Sequence, residues 1–217
     1  MEGADIRVRV RRALQNEIAV VAIRLFAENG FDAVTVDQIA AQAGLSRRSF
    51  FRYFSSKEDV VTGKYTLWAE ALVDAHRALP DGGDPWWTLR ATFDSVVDYY
   101  SDPVRRSQQA ALEAIIEASP SLRSAVAAVL WSLQDGLADA LLERGGGTSA
   151  ELSSIRARAM AGAAWACVQA ALPTAATGDF AGVLDELFQA FAPTWTGSQR
   201  GAASPSMAQR SGGGQRD

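Results

Sequence analysis

Residues 35–54 read TVDQIAAQAGLSRRSFFRYF, and this stretch decides the fold of the N-terminal part of the chain. Thr35 and Ser46 each precede a short helical run and carry the hydroxyl group of a typical N-cap residue. Gly44 lies between the two runs, where a tight turn requires a positive φ angle. Two short helices joined by such a turn form a helix-turn-helix. The pattern therefore predicts a helix over 36–43 and a second one that begins after Ser46 and ends at about Tyr53.

The two faces of this motif carry different chemistry. Its apolar side chains are expected to point inward and to fix the crossing angle: Ile39, Ala43, Leu45 and Phe50. The outward residues of the second helix are mostly basic: Arg47, Arg48, Ser49 and Arg52. An α-helix fits the major groove of DNA, and arginine can form two hydrogen bonds with guanine O6 and N7. The motif predicts DNA binding; the alternative is a plain helical hairpin whose basic face is solvated.

The rest of the chain repeats apolar residues at helical spacing and shows no alternation typical of β-strands. We therefore predict an all-α fold of about nine helices. The first helix runs from about Arg11 to Asn29, and with the two short helices it forms a head over residues 1–54. The helical body covers 55–194, with helices at about 55–78, 85–100, 104–118, 120–144, 149–172 and 180–191. Residues 195–217 are rich in Gly, Ser, Gln and Arg, which predicts a disordered tail.

Charge is distributed unevenly along the 217 residues, whose formal net charge is −4. Residues 1–60 hold nine basic and eight acidic side chains, whereas residues 61–194 hold nine basic and sixteen acidic ones. An acidic body is a poor surface for phosphates. A basic patch that meets nucleic acid is therefore expected on the head.

Composition excludes several other classes of protein. Cys167 is the only cysteine and His76 the only histidine, so a disulfide framework and a zinc site with the usual ligands are excluded. These two residues are far apart and belong to no nucleophile motif, so we expect neither an enzyme nor a cofactor. No apolar run approaches the roughly 20 residues that span a bilayer, and no signal peptide is evident. A cytoplasmic protein is the expectation.

Several segments in order resemble the TetR/AcrR transcriptional regulators. They are NGF at 29–31, TVDQIA at 35–40, AGLS at 43–46 and FRYFSSKED at 51–59. The resemblance covers about residues 11–61 and departs from the family at Arg48-Ser49, where small residues are common. It implies a DNA-binding head and a helical body that binds a ligand and dimerises.

The resemblance also implies which residues meet DNA. Thr35 and Val36, at the start of the second helix, would hold a phosphate, and Tyr53 and Lys57 would bind further phosphates. For Tyr53 the alternative is packing beneath the head. Arg11 and Arg12 would reach the backbone or the minor groove. The full expected set is Arg11, Arg12, Thr35, Val36, Ser46, Arg47, Arg48, Ser49, Arg52, Tyr53 and Lys57.

Aromatic residues of the body are candidates for an internal ligand cavity, because such cavities are mostly apolar with a few polar groups. The alternative, favoured for any single residue, is that it belongs to the core. The expected lining is Trp68, Leu72, His76, Trp86, Trp87, Phe93, Tyr100, Leu112, Glu113, Ile116, Trp131, Gln134, Trp165 and Gln169.

The last two helices are candidates for a homodimer interface, because one carries many small residues and the other excess apolar surface. The interface would comprise Met160–Leu172 and Phe180–Phe191. A dimer places two heads on a palindromic operator. The function implied is a regulator, more often a repressor in this family, that a small apolar or amphipathic effector releases from DNA. The alternatives are a DNA-binding protein without effector, and a small-molecule-binding protein or enzyme whose helix-turn-helix is incidental.

Overall fold

The computed structural model describes residues 2–144 and 154–192, with side chains from residue 9 onward. Within these ranges the chain is helical and contains no strand, which confirms the all-α prediction. The helices are α1 (Glu2–Asn29), α2 (Val36–Gln42), α3 (Arg47–Phe50), α4 (Lys57–Ala78), α5 (Pro85–Thr92), α6 (Asp94–Ser101), α7 (Pro103–Ala118), α8 (Pro120–Arg144), α9 (Ser154–Ala171) and α10 (Phe180–Ala190), with a 3-10 helix at Leu172–Thr177. The predicted tail and the predicted start of a helix at 149 lie outside the described residues.

The predicted capping residues begin the two short helices of the head. The Thr35 hydroxyl accepts a hydrogen bond from the Gln38 amide at 3.3 Å, and the Gln38 side chain accepts one from the Thr35 amide at 2.8 Å. This reciprocal capping box begins α2. Gly44 adopts a φ angle of 68°, which an L side chain rarely tolerates, and so allows the tight turn before α3. The helix-turn-helix is therefore present with both predicted caps.

One continuous apolar cluster joins the head to the body, and we call it the shared core. Eleven of its buried side chains come from the head and the start of α4, and five come from α7 and α8. The five are Leu112, Ile115, Ile116, Leu122 and Val126. The Ser119 hydroxyl, between α7 and α8, also donates to Asp32 at 2.9 Å. The head is thus fixed to α7 and α8 as well as to α4.

A second cluster, the body core, fills the space between α4, α5, α8, α9 and α10. Trp86 anchors it, since its side chain is 1% exposed and its indole N–H donates to the Phe188 carbonyl at 2.8 Å. The Trp86 and Phe188 rings lie 4.6 Å apart. This contact docks α10 against α5, although 102 residues separate the two side chains along the chain.

Three helices differ from the sequence prediction by more than two residues. Helix α1 begins at Glu2 rather than near Arg11, and α3 ends at Phe50 rather than Tyr53. The predicted fifth helix is interrupted at Phe93, a fully buried residue whose amide bonds to the Arg90 carbonyl in a tighter turn. The α9 helix ends at Ala171 and a 3-10 helix follows from Leu172, close to the predicted end before Pro173, because proline has no N–H to continue the helical ladder.

The expectation about apolar runs also needs correction. By length and composition α8 qualifies as a helix able to cross a membrane. One such helix is weak evidence for a membrane span, since core helices of soluble proteins pass the same test. In the most apolar window of α8, 33% of the residues are buried. Here α8 packs between α4 and α9.

Candidate nucleic-acid interface and body cavity

The arginines of α3 and of the turn that follows it are presented at the surface, as the sequence predicts. Arg48 and Arg52 are exposed, and so is Arg47, whose side chain keeps 61% of its accessible surface. Arg47 donates to the Asp37 carboxylate at 2.7 Å, and its guanidinium lies 5.5 Å from the centre of the Phe51 ring. Arg48 has no ion pair or hydrogen bond to any other described residue. Arg47 is therefore held in one orientation, whereas Arg48 is free to meet a partner.

The hydroxyl groups expected at DNA serve first as helix caps. The Ser46 hydroxyl accepts from the Ser49 amide at 3.1 Å and lies 2.9 Å from the Ser49 hydroxyl. Thr35 is exposed at the start of α2, and Val36 beside it is partly buried. The first amides of α2 and α3 thus lie at the surface, where a helix N-terminus favours an anion.

Tyr53 lies between the end of α3 and the first helix. Arg52 donates to its hydroxyl at 2.8 Å, and the guanidinium groups of Arg52 and Arg11 lie 5.0 and 5.9 Å from the ring centre. Arg11 also donates to the Arg52 carbonyl at 3.2 Å. The ring of Tyr53 is partly buried and packs against the shared core, as the alternative of packing beneath the head predicts. The ring can pack in this way while its hydroxyl group stays at the surface. Arg12 is exposed beside this group.

Lys57 has a different position from the one that the resemblance implies. Its ammonium group donates to the carbonyls of Phe31, Val34 and Asp32 at 2.9, 3.2 and 3.4 Å. It also lies 4.4 Å from the centre of the Phe31 ring. All three protons are used within the head, so in this structure Lys57 holds the loop between α1 and α2 and is not open to a phosphate.

A cavity of about 300 Å³ lies in the body between α4, α6, α7, α8 and α9. This volume is at the small end of the range for ligand sites. Six of the fourteen expected residues line it: Trp68, Tyr100, Glu113, Ile116, Trp165 and Gln169. Nine further residues line it as well: Lys64, Tyr65, Val96, Tyr99, Gln109, Glu117, Val126, Leu130 and Leu172.

A hydrogen-bond network occupies the polar side of the cavity. Gln109 donates to the Tyr65 hydroxyl and to one oxygen of Glu113, each at 3.0 Å, and the Tyr100 hydroxyl donates to the same Glu113 oxygen at 3.3 Å. Burial raises the pKa of Tyr65 to about 12, and burial followed by the charge of Glu113 raises the pKa of Tyr100 well above its usual value. Both phenols therefore remain protonated donors at neutral pH.

Eight expected cavity residues do not line it, mainly because the helices turn them to other faces. Leu72, His76, Trp86 and Phe93 are buried in the interior of the body, and Leu112 belongs to the shared core. Gln134 donates back to the Leu130 carbonyl of its own helix. Trp87 and Trp131 are 42% and 68% exposed. Tyr65 and Gln109 line the cavity but were not predicted from the sequence. Their spacing could have identified them, because Tyr65 lies one helical turn from Trp68 and Gln109 one turn from Glu113.

His76 is a fully buried core residue rather than a ligand contact. Its Nδ1 lies 2.8 Å from the Thr92 hydroxyl, which itself donates to the Thr88 carbonyl at 2.9 Å. Because a hydroxyl has one proton, it must accept from Nδ1–H, and the buried Nε2 is left without a partner among the described residues. Burial, followed by the charges of Arg144 and Arg77, lowers the pKa of His76 to about 4.

The expected dimer helices expose an apolar surface, which we call the outer face of α9 and α10. On α9 it consists of exposed residues at helical spacing: Ile155, Ala159, Ala163, Ala166 and Ala170. On α10, Val183 and Leu187 are partly buried, and the adjoining Phe191 is 63% exposed. Met160, within the predicted interface, points into the body core instead.

Comparison with known proteins matches the head most specifically. Residues 18–62 match the family model described as bacterial regulatory proteins, tetR family. The HTH-type transcriptional regulator TcmR of Streptomyces glaucescens is 29% identical over 124 residues, which cover 55% of each chain. The regulator MftR of Mycobacterium tuberculosis is 45% identical over 58 residues, 27% of this chain and 29% of its own. The matches thus span about half or less of these relatives.

Solved structures match over more of the chain at lower identity. GusR of Salmonella enterica is 20% identical, with a TM-score of 0.54 over 82% of this chain and 93% of that one. The fatty acid degradation regulator FadR of Bacillus halodurans is 20% identical, with a TM-score of 0.51 over 86% and 96% of the two chains. This likeness shows the fold of head and body together. TcmR and MftR are named as transcriptional regulators, in agreement with the sequence prediction of a regulator rather than an enzyme.

Proposed function

We propose that this chain, which belongs to the TetR family of transcriptional regulators, binds a palindromic DNA operator as a cytoplasmic homodimer and is released by a small apolar or amphipathic effector. The observation that carries the proposal is the helix-turn-helix that presents Arg47 and Arg48 of α3, and Arg52 of the turn after it, at the surface. Release by an effector would make the protein a repressor.

Base contacts are assigned to the start of α3. Arg48 is exposed and free of internal ion pairs, so it can form two hydrogen bonds with a guanine without breaking a contact. Arg47 can do the same only by leaving or sharing Asp37. Thr35, Val36, Ser46 and the tyrosine hydroxyl of Tyr53 would position the backbone, since phosphate contacts fix register and base contacts specify sequence.

Dimerisation is assigned to the outer face of α9 and α10. Small alanine side chains allow two helices to approach closely, and Phe191 would lose its exposure to water in the interface. Two helices from each subunit then form a four-helix bundle. The two-fold axis would set the spacing of the heads to one turn of the operator, about 34–36 Å.

The effector is assigned to the body cavity, and the shared core supplies the coupling to DNA. Ile116 and Val126 belong to both, because each lines the cavity and also packs in the shared core. A ligand that moves these walls also moves the support of the head. If the ligand and DNA prefer different arrangements of the heads, the bound ligand must weaken the affinity for DNA. Bound DNA must then weaken the affinity for the ligand by the same factor.

Fluorescence anisotropy on duplex DNA tests this function. An operator is first selected from a random duplex library with the wild-type protein, and affinities are then measured for operator and scrambled duplexes over a range of salt concentrations. Arg48→Ala is expected to lose about 1–3 kcal/mol of discrimination between the two duplexes. Arg123→Ala, which removes an equal charge from α8, should keep it. A wild-type protein that selects no sequence, or an Arg48→Ala variant with unchanged discrimination, would refute the proposal.

A further inference from the structure

The polar side of the body cavity has a negative charge with unused hydrogen-bonding capacity. One oxygen of Glu113 accepts from both Gln109 and Tyr100. The other oxygen has no hydrogen-bond partner among the described residues. Because a carboxylate can only accept hydrogen bonds, a ligand group that takes the place of solvent at this exposed oxygen has to be a donor.

Neighbouring groups reinforce this preference. Burial is the largest cause that raises the pKa of Tyr65 and of Tyr100, and the charge of Glu113 raises both further, so these two phenols lie within its field. Tyr99 lies beside a cation, because the Arg105 guanidinium is 5.8 Å from the centre of its ring. Lys64 is the one basic residue of the lining, and it is an exposed side chain that contributes to none of these shifts. Glu117, one turn farther along α7, lies 3.5 Å from Arg123 and is already compensated.

The remaining wall is aromatic. Trp68 and Trp165 meet edge to face, with ring centres 5.9 Å apart, and Tyr99 and Tyr100 do so at 5.5 Å. Aromatic faces attract a cation and also pack well against a flat apolar ring. A carboxylate beside such rings therefore suits a molecule that combines a cationic nitrogen with a ring system.

We propose that the effector is a cationic aromatic amphiphile, with an ammonium group that donates to Glu113 and a ring that packs against Trp68 and Trp165. This inference rests on the effector role proposed above. It excludes an anionic amphiphile as the preferred ligand, because a negative group at the same place would lie against the charge of Glu113. The exposed position of Glu113 at the cavity leaves it accessible to an incoming ammonium group.

Three probes with one ring system and different charge test the proposal. They are 1-naphthylmethylammonium, 1-naphthylmethanol and 1-naphthylacetate, titrated into the full-length protein and followed by tryptophan fluorescence and calorimetry. The ammonium probe is expected to bind about tenfold more tightly than the alcohol, since both can donate to the Glu113 carboxylate but only the ammonium group adds the attraction between opposite charges. The acetate probe is expected to bind most weakly.

Two variants separate the role of Glu113 from general charge. Glu113→Gln should remove the preference for the ammonium probe and leave affinity for the alcohol within about twofold. Glu117→Gln, which changes the net charge equally, should keep the preference. Tightest binding of the acetate, an ammonium preference that survives Glu113→Gln, or binding of none of the probes would overturn the inference.

Operator affinity is measured on the same preparations. Sequence-specific DNA binding without any preference for the ammonium probe rejects the inference and leaves the regulatory function intact. Failure to select any operator rejects the regulatory function, whichever probe binds.

Discussion

The stability of the protein should depend on the protonation of His76. Unfolding exposes this histidine, whose pKa then returns to about 6.5, whereas the folded protein holds that pKa near 4. Between these values the unfolded chain binds a proton that the folded protein does not. The stabilisation from neutral His76 is therefore fully present above pH 6.5 and is lost as the pH falls from 6.5 towards 4.

The size of this effect follows from the two pKa values. At pH 5.0 the unfolded imidazole is almost fully protonated and the folded one almost fully neutral. The free energy of unfolding should therefore fall by about 2 kcal/mol between pH 7.5 and pH 5.0 through this residue alone. Because the chain has one histidine, no other imidazole contributes.

Urea unfolding of the wild type and His76→Gln at both pH values measures the effect. Glutamine can donate to Thr92 but does not titrate, and carboxylates contribute equally to both proteins, so the difference between the two pH dependences isolates His76. Equal pH dependence would refute the assignment of a buried, neutral imidazole. If the variant fails to fold, NMR of the single imidazole in the wild type decides: a ring that protonates near pH 6.5 in the folded protein contradicts the reasoning.

Three further outcomes can be checked. Trp86→Phe should cost about 2–3 kcal/mol in urea unfolding, because it leaves a cavity and an unpaired Phe188 carbonyl, whereas Trp87→Phe next to it should change stability by less than about 0.5 kcal/mol. Gly44→Ala should lower the free energy of unfolding by about 1–2 kcal/mol in thermal unfolding, because Gly44 has a φ of 68°. Gly63→Ala should raise it by about 0.5–1 kcal/mol, because Gly63 lies inside α4 and an added Cβ would make only an ordinary 3.8 Å contact. Equal effects of the two substitutions would contradict the backbone argument. Ala163→Arg should convert a dimer into monomers in light scattering, with Ala111→Arg on α7 as the control; an unchanged dimer would exclude the outer face of α9 and α10.

Local features of the head were predictable because they depend on neighbouring residues in the sequence. Thr35 with Gln38, Ser46 with Ser49, and the turn at Gly44 each involve groups within a few positions of one another. Lys57 was not predictable in this way, because the carbonyls that it binds lie 23–26 residues earlier and come together only through packing.

The cavity was only partly predictable, because its lining depends on helical phase. Trp86 and Trp87 are adjacent in sequence, yet one is buried in the body core and the other exposed. The interruption at Phe93 changes the phase of the following turn, which brings Tyr99 and Tyr100 to the cavity. A pattern of aromatic residues identifies candidates, but it does not tell which of them a neighbouring helix will cover.

The five α7 and α8 side chains within the shared core have a consequence for protein engineering. The N-terminal 60 residues are not a detachable module, because cutting after them would expose a large part of their apolar interior to water. A chimera that carries the head of one relative on the body of another must match Leu112, Ile115, Ile116, Leu122 and Val126 to the incoming surface. Exchange of operator preference is therefore better attempted by grafting the outward side chains of α3 alone.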